Sequence, residues 1–245
     1  MGITYSEKDR VFKLDTPSTT YLMGIVDKDC YLGHIYYGRK IPDFMPGDMM
    51  RIKEAPFVPS VNNRERLSFY DTFPFEYPAA GMGDYRTPAL EIKEEDGADG
   101  CMLRYMSHRI YKGHESIPGL PSLFGTEEDM TTLEITMMDL NIDLQVVLHY
   151  SVFEKLDIIT RHTTVKNMGK KGITLKKVMS AAFDTEGTDH DIITLHGSWA
   201  RERMIQRRRS GLGMYTVSSS RGETSHQDHC FIGIASEGAS YDTGE

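Results

Sequence analysis

Short β-forming segments recur along the whole chain and decide what it can fold into. Each spans about six to ten residues rich in Val, Ile, Thr, Tyr and Phe, and is bounded by Gly, Asp, Asn or Pro. Helical periodicity is nearly absent. Because the connections are mostly short, the strands should pair in the antiparallel sense. The predicted strands are residues 20–26, 31–37, 89–93, 103–111, 132–139, 143–153, 157–166, 173–182, 191–195 and 230–235.

These segments predict an all-β fold with few helices. A single open sheet of so many strands would expose an apolar face along its whole width, so we expect two packed antiparallel sheets, a large β-sandwich. A length of 245 residues suits one large β domain or two small ones.

Two stretches lack the strand pattern. Residues 41–80 contain six prolines and should form a long excursion over the surface. We expect this excursion to be ordered and packed because it also carries a group of aromatic residues, Phe69, Tyr70, Phe73, Phe75 and Tyr77. Residues 117–129 form a second, shorter excursion.

Charge and cysteine usage exclude some classes of partner. The formal net charge is -8, which argues against a nucleic-acid partner, because phosphates require a net positive surface. The three cysteines, Cys30, Cys101 and Cys230, are far apart and odd in number, so they predict no disulfide framework and a reducing cytoplasm. The sequence contains no apolar run of about 18 residues, so no membrane-spanning helix is predicted.

The segment Gly197-Ser198-Trp199-Ala200-Arg201-Glu202-Arg203 holds the single tryptophan of the chain. If this segment is extended, Trp199, Arg201 and Arg203 project to one face. An indole can stack on the C–H face of a sugar ring, and a guanidinium can donate to ring hydroxyls. The alternative is a structural tryptophan capped by an arginine through a cation–π contact, which local chemistry alone favours.

The arginine-rich run that follows could bind phosphate. Glu202 lies within the run and the net charge is negative, so we predict a solvated or ion-paired edge instead. The run consists of Arg201, Arg203, Arg207, Arg208 and Arg209.

Two other clusters could carry chemistry, but we predict neither a metal nor a cofactor. His226 and His229 are spaced by three residues in a turn-like region, and no second cluster of matching spacing follows, so we interpret them as loop residues. Asp184, Glu186, Asp189 and Asp191 are interpreted as a charged loop, since spacing in a β protein cannot place two carboxyl groups across a scissile bond.

The order and spacing of nine segments resemble the N-terminal β-sandwich domain of bacterial α-galactosidases of glycoside hydrolase family 36. The resemblance covers nearly the whole chain. Each motif is short, and their joint order makes the match specific. The segments are residues 33–38, 76–89, 103–113, 119–121, 132–135, 157–161, 179–181, 199–203 and 220–227.

The resemblance implies a β-supersandwich over residues 1–245 that precedes a (β/α)8 barrel and a C-terminal β domain. The barrel carries an aspartate nucleophile in a Lys-Trp-Asp motif and an aspartate acid/base. Neither motif occurs here, because the only tryptophan stands in Trp-Ala-Arg. We therefore expect no catalytic residues in this chain, an inactive fragment, and a sandwich that stops before the family's last strands.

The resemblance also implies two kinds of site residue. The family's tryptophan in the Trp-Ala-Arg-Glu-Arg motif lines the galactoside pocket and matches Trp199. An aspartate in the proline-rich excursion reaches the pocket of a neighbouring subunit in the family's tetramer. Glu54 is its expected equivalent, and a shift of one residue would put Lys53 there instead.

Three functional hypotheses follow. The first is the non-catalytic domain of an α-galactosidase that hydrolyses melibiose- or raffinose-type oligosaccharides with retention, in a cytoplasmic homotetramer. The second is a free-standing carbohydrate-binding β-sandwich module. The third is a structural domain without a ligand, which predicts that Trp199 is buried against the core.

Overall fold

The computed structural model describes residues 2–43, 70, 72–120, 125–185, 187–223 and 225–240. These residues form thirteen strands and no helix, and every strand pairing is antiparallel. The all-β prediction is confirmed. No helix in this part of the chain is long and apolar enough to cross a membrane.

Ten of the strands match the predicted ones to within a few residues, and β1, β2 and β12 were missed. The strands are β1 (Gly2–Ser6), β2 (Val11–Asp15), β3 (Thr19–Val26), β4 (Tyr31–Arg39), β5 (Leu90–Glu94), β6 (Arg104–Lys112), β7 (Met130–Asp139), β8 (Leu144–Phe153), β9 (Ile158–Asn167), β10 (Ile173–Val178), β11 (His190–Ser198), β12 (Arg201–Arg209) and β13 (Asp228–Ser236).

The chain divides into two compact units, Met1–Asp184 and Thr185–Glu245. The first unit contains two four-stranded meanders, in the orders β1-β2-β3-β4 and β6-β7-β8-β9, and the separate pair β5–β10. The second contains one three-stranded sheet in the order β12-β11-β13. The assignment of residues 1–245 to a single domain stays a prediction.

Alternation of side chains explains how the two meanders share a core. Leu133 and Ile135 on β7 are fully buried, whereas Glu134 between them is partly exposed on the opposite face. The buried residues of β7 and β8 belong to the same apolar cluster as Phe12 on β2 and Met23 on β3. The two meanders therefore bury their inner faces against a common core, as in a β-sandwich.

The last part of the proline-rich excursion closes one region of this core. Tyr70, Phe73, Phe75 and Tyr77 are all buried, as their aromatic composition predicts. The backbone of this segment bonds to β4, because the amide of Glu76 donates to the carbonyl of Leu32 at 3.0 Å. Phe69 and residues 44–68 lie outside the described residues.

Glu76 is the most deeply buried carboxylate among the described residues. Its Oε1 accepts hydrogen bonds from the hydroxyls of Tyr21 on β3 and Tyr150 on β8, each at 2.7 Å. The guanidinium of Arg161 on β9 lies 2.9 Å from the same oxygen, and Nδ1 of His34 on β4 lies 3.4 Å from Oε2. One side chain thus connects four strands from both meanders.

The electrostatics keep this glutamate ionised. Burial alone raises the pKa of Glu76, but Arg161, His34 and the Tyr21 hydroxyl together lower it below its ordinary value. Burial raises the pKa of Tyr21 and of Tyr150 well above the usual range, and the carboxylate adds to this rise. Both hydroxyls therefore remain protonated donors to a charged acceptor.

Replacement of Glu76 by glutamine should be strongly destabilising, because it leaves the buried Arg161 guanidinium without its counter-charge. We expect Glu76→Gln to lower the free energy of unfolding by about 3–5 kcal/mol, measured from urea midpoints. The matched control is Glu91→Gln, whose carboxylate pairs with Lys177 at 2.6 Å where both side chains are about a third exposed. That change should lower it by no more than about 1 kcal/mol. Equal losses of unfolding free energy in the two variants would show that Glu76 contributes no more to stability than an exposed ion pair does.

The contribution of Glu76 should also depend on pH. Its folded pKa lies below its unfolded pKa, so the stability that it supplies is complete above about pH 4.3, the ordinary glutamate value. It is lost as the pH falls through the folded pKa. The difference in urea midpoint between the unmodified chain and Glu76→Gln should therefore shrink as the solution is acidified. A constant difference down to about pH 3 would contradict the lowered pKa.

Candidate functional site: the Trp199 hairpin

Trp199 lies at the tip of the β11–β12 hairpin. Ser198 and Arg201 form the last cross-strand pair, so Trp199 and Ala200 alone connect the two strands. The backbone turns because Ala200 takes a positive φ of 63°, a conformation that few non-glycine residues adopt. The segment is not extended throughout, so the condition under which Trp199, Arg201 and Arg203 would share one face is not met. Trp199 belongs to a turn, and Arg203, with a φ of 57°, also leaves the regular strand geometry.

Gly197 makes this turn possible. A side chain at this position would place its Cβ only 2.1 Å from the carbonyl oxygen of Arg201, which no real Cβ tolerates. The register shifts between His196 and Ser198, so the hairpin carries a β-bulge next to its tip. The sequence Gly-Ser-Trp-Ala-Arg therefore forms a close backbone crossing that only glycine permits.

Glu202 closes the turn from the other side. Its Oε1 accepts a hydrogen bond from the amide of Ala200 at 2.8 Å. Hydrogen bonds from its own amide and from that of Ala200 lower the pKa of Glu202, and the charges of His226 and Arg203 act in the same direction. The carboxylate is therefore ionised and held against the backbone of the tip.

The indole of Trp199 is 82% exposed. Within the described ranges no guanidinium lies over its ring. The interpretation of Trp199 as a structural residue, buried or capped by an arginine, is therefore wrong. A large, flat apolar group exposed at a hairpin tip is a candidate binding surface, because a partner that covers it removes apolar area from water.

The arginine-rich strand β12 is partly an ion-paired edge, as predicted. Arg207 pairs with Asp191 at 2.6 Å, and Arg209 pairs with Asp189 at 3.0 Å and with Glu237 at 2.8 Å. Arg208 instead lies over the ring of Tyr215, with its guanidinium carbon 4.3 Å from the ring centroid. Arg201 and Arg203, close to the hairpin tip, form no ion pair with another described residue.

A polar recess of about 540 Å³ opens beside the hairpin within the same unit. Two hydrogen bonds fix the segment that forms its far wall. The amide of Gly197 donates to the carbonyl of Gln227 at 3.2 Å, and the amide of Asp228 donates to the hydroxyl of Ser225 at 3.2 Å. We call this cavity the hairpin recess; its lining residues are Glu202, Arg203, Ser225, His226 and His229.

Sequence reasoning named both histidines but did not join them to the tryptophan motif. About two dozen residues separate the two halves of the recess in the chain. The pairing of β11 with both β12 and β13 brings them together. No group of three or more His, Cys, Asp or Glu side chains in the described part of the chain could hold a metal ion.

Glu54 and Lys53 lie outside the described residues, and Glu186, one member of the predicted charged loop, does too. Of the predicted site residues, the structure therefore places Trp199 alone. The role of Glu54 or Lys53 stays a prediction.

The fold is that of an all-β domain, with one exposed tryptophan at a hairpin tip. The model of the glycosyl hydrolase family 36 N-terminal domain matches residues 30–245. The chain belongs to that family.

The chain is similar to several α-galactosidases. Alpha-galactosidase AgaA of Geobacillus stearothermophilus is 35% identical over 246 aligned residues, which cover 100% of this chain and 34% of the relative. The solved structure of alpha-galactosidase AgaB from the same organism matches with a TM-score of 0.90 at 36% identity, over 98% of this chain and 32% of the other. A variant of AgaA in complex with raffinose matches with a TM-score of 0.88 at 35% identity. The match covers 94% of this chain and 32% of the variant. The chain thus spans about a third of the length of these proteins.

Acrylamide should quench the fluorescence of this chain efficiently, because its one tryptophan is 82% exposed. We expect a Stern–Volmer constant close to that of the same chain unfolded in guanidinium chloride. A several-fold smaller constant in the folded chain would place the indole in a protected environment and contradict the exposed hairpin tip.

Gly197→Ala should disrupt the hairpin, because the added methyl group collides with the backbone of Arg201. We expect a loss of about 1–3 kcal/mol in unfolding free energy. Amide hydrogen exchange should accelerate in β11 and β12. Gly211→Ala is the matched control in the same unit, since its Cβ would meet nothing within 4 Å. The close approach would be disproved if both variants exchanged at the rate of the unmodified chain.

Proposed function

We propose that this chain is the N-terminal, non-catalytic domain of an α-galactosidase that acts on melibiose- and raffinose-type oligosaccharides. Membership of the family and the raffinose complex of a relative support this proposal. The observation that carries it is the exposed indole of Trp199, held by a glycine-dependent hairpin that serves no core packing.

The chemistry requires two carboxyl groups that this domain does not supply. In a retaining glycosidase one carboxylate attacks the anomeric carbon, while the other protonates the leaving oxygen and then activates water. Both belong to the catalytic barrel of the complete protein in our proposal. The contribution of this domain is binding, because Trp199 offers its flat face to the C–H surface of the galactosyl ring and excludes water there.

Oligomer contacts form the second part of the proposal. Glu54, or Lys53 if the alignment shifts by one residue, would reach the pocket of a neighbouring subunit in a homotetramer. A carboxylate at that position can accept two hydroxyl hydrogen bonds, whereas an ammonium can only donate. The absence of a predicted disulfide framework is consistent with a cytoplasmic enzyme.

A free-standing carbohydrate-binding module is the alternative that the exposure of Trp199 also favours, since the indole is accessible in this chain by itself. Calorimetry with galactose, melibiose and raffinose separates the two functions. A module should bind with a sub-millimolar Kd that is lost in Trp199→Ala. A domain that forms one wall of a larger pocket should bind at about 1 mM or more weakly.

The chain alone should not hydrolyse a chromogenic α-galactoside, whereas the complete protein with its catalytic barrel should. In the complete protein, Trp199→Ala should raise KM for raffinose roughly tenfold, because the mutation removes stacking that is present throughout the reaction. Leu156→Ala is a control at another exposed hairpin connection, where the side chain is 51% exposed. It should leave KM and kcat unchanged. Turnover by the chain alone, or an unaltered KM in Trp199→Ala, would refute the proposal.

A further inference from the structure

We propose that the hairpin recess is a second sugar-contacting subsite, which binds the hydroxyl groups of the unit adjoining the ring stacked on Trp199. This inference rests on the proposed function, since it assumes that Trp199 contacts an oligosaccharide. The ligand class is a neutral hexose unit within an α-galactoside.

Unused hydrogen-bonding capacity in the recess is the first argument. Ser225 accepts one bond from the amide of Asp228, which leaves its hydroxyl proton available to donate. Glu202 lines the recess as well, and its carboxylate is held by the hairpin backbone through the amide of Ala200. Nδ1 of His229 is shielded from solvent and makes no hydrogen bond to any described residue. Several hydrogen-bond donors and acceptors therefore line the same cavity.

The backbone of Arg203 is the second argument. A φ of 57° is unfavourable for an arginine, and backbone strain of this kind is held in place where it aims a side chain. Arg203 lines the recess, whereas Arg207 and Arg209 form ion pairs along the edge of the sheet. Arg203 and Glu202 thus line the same cavity, one with donors and the other with a carboxylate.

The mixture of charges decides the class of ligand. Glu202 is ionised and fixed, and it would repel a phosphate or carboxylate bound beside Arg203. A neutral sugar has hydroxyls that donate to the carboxylate and accept from the guanidinium at the same time. A volume of about 540 Å³ lies within the range of small-molecule sites. Glu202 also bonds the hairpin tip that carries Trp199, so the two binding surfaces adjoin.

Saturation-transfer NMR on the 245-residue chain tests the proposal with raffinose, melibiose, galactose and inorganic phosphate as probes. We expect saturation transfer to protons of both units of melibiose, and a roughly tenfold weaker affinity for raffinose in Arg203→Gln. Arg208→Gln is the matched control on the same strand, because Arg208 packs on Tyr215 outside the recess. It should bind raffinose as the unmodified chain does.

Two further variants keep the test decisive. Ser225→Ala provides a second probe of the recess if Arg203→Gln lowers the far-ultraviolet circular dichroism signal of the folded chain. Trp199→Ala should reduce transfer to one sugar unit and preserve it at the other. An affinity for raffinose that neither Arg203→Gln nor Ser225→Ala changes would overturn the proposal. Tighter binding of phosphate than of any sugar would overturn it too.

Two measurements distinguish failure of the subsite proposal from failure of the proposed function. If the complete protein lacks α-galactosidase activity but Arg203→Gln still weakens raffinose binding to the chain roughly tenfold, the subsite stands and the enzymatic proposal falls. If the enzyme is active and its KM for raffinose responds to Trp199→Ala but not to Arg203→Gln, the subsite falls and the enzymatic proposal stands.

Discussion

The buried carboxylate of Glu76 is the interaction on which the first unit depends. A sandwich held only by apolar contacts can slide, because one layer of aliphatic side chains packs on another in several registers. An ionised group that needs Arg161, Tyr21, Tyr150 and His34 around it allows a single arrangement of the four strands that carry them. Its desolvation is offset only when every partner is in place, so the network specifies the fold more than it stabilises it.

The second unit is built on a different principle. Its three-stranded sheet has little core: many of its large apolar side chains, Ile205 and Met204 on β12 among them, are exposed. Order at the hairpin tip comes from the backbone instead, through the close crossing at Gly197 and the bond from Ala200 to Glu202. This arrangement leaves the indole of Trp199 free to meet a ligand. In the proposed enzyme, rigidity at the tip would reduce the entropy lost when a sugar stacks there.

Much of the fold could be predicted from the sequence, since alternation and turn residues identified ten strands, including β7, β8 and β9. The strands β1 and β2 were missed because each is only five residues long, and β2 also carries the charged Lys13, which is buried in the fold. Strand β12 was missed because it is rich in arginine and pairs only along one edge.

The candidate site was predictable only in part. The motif identified Trp199. Its neighbours are not extended, because Ala200 and Arg203 have positive φ, and residue propensities do not predict a positive φ for alanine or arginine. The hairpin recess depends on cross-strand pairing of β11 with β12 and β13, so residues such as His226 and Arg203 meet across a long stretch of sequence. Pairing at that range is a property of the folded sheet and not of any motif.

The exposed edge of the second unit has a consequence for how the chain behaves in concentrated solution. All nine residues of β12 are exposed, and the strand bonds to β11 on one side alone among the described residues. Such an edge invites a strand from another molecule, and Arg201 and Arg203, which form no ion pair with another described residue, oppose that by repulsion between copies. High salt weakens the repulsion, so ionic strength controls whether copies of this sheet stay apart or add to one another.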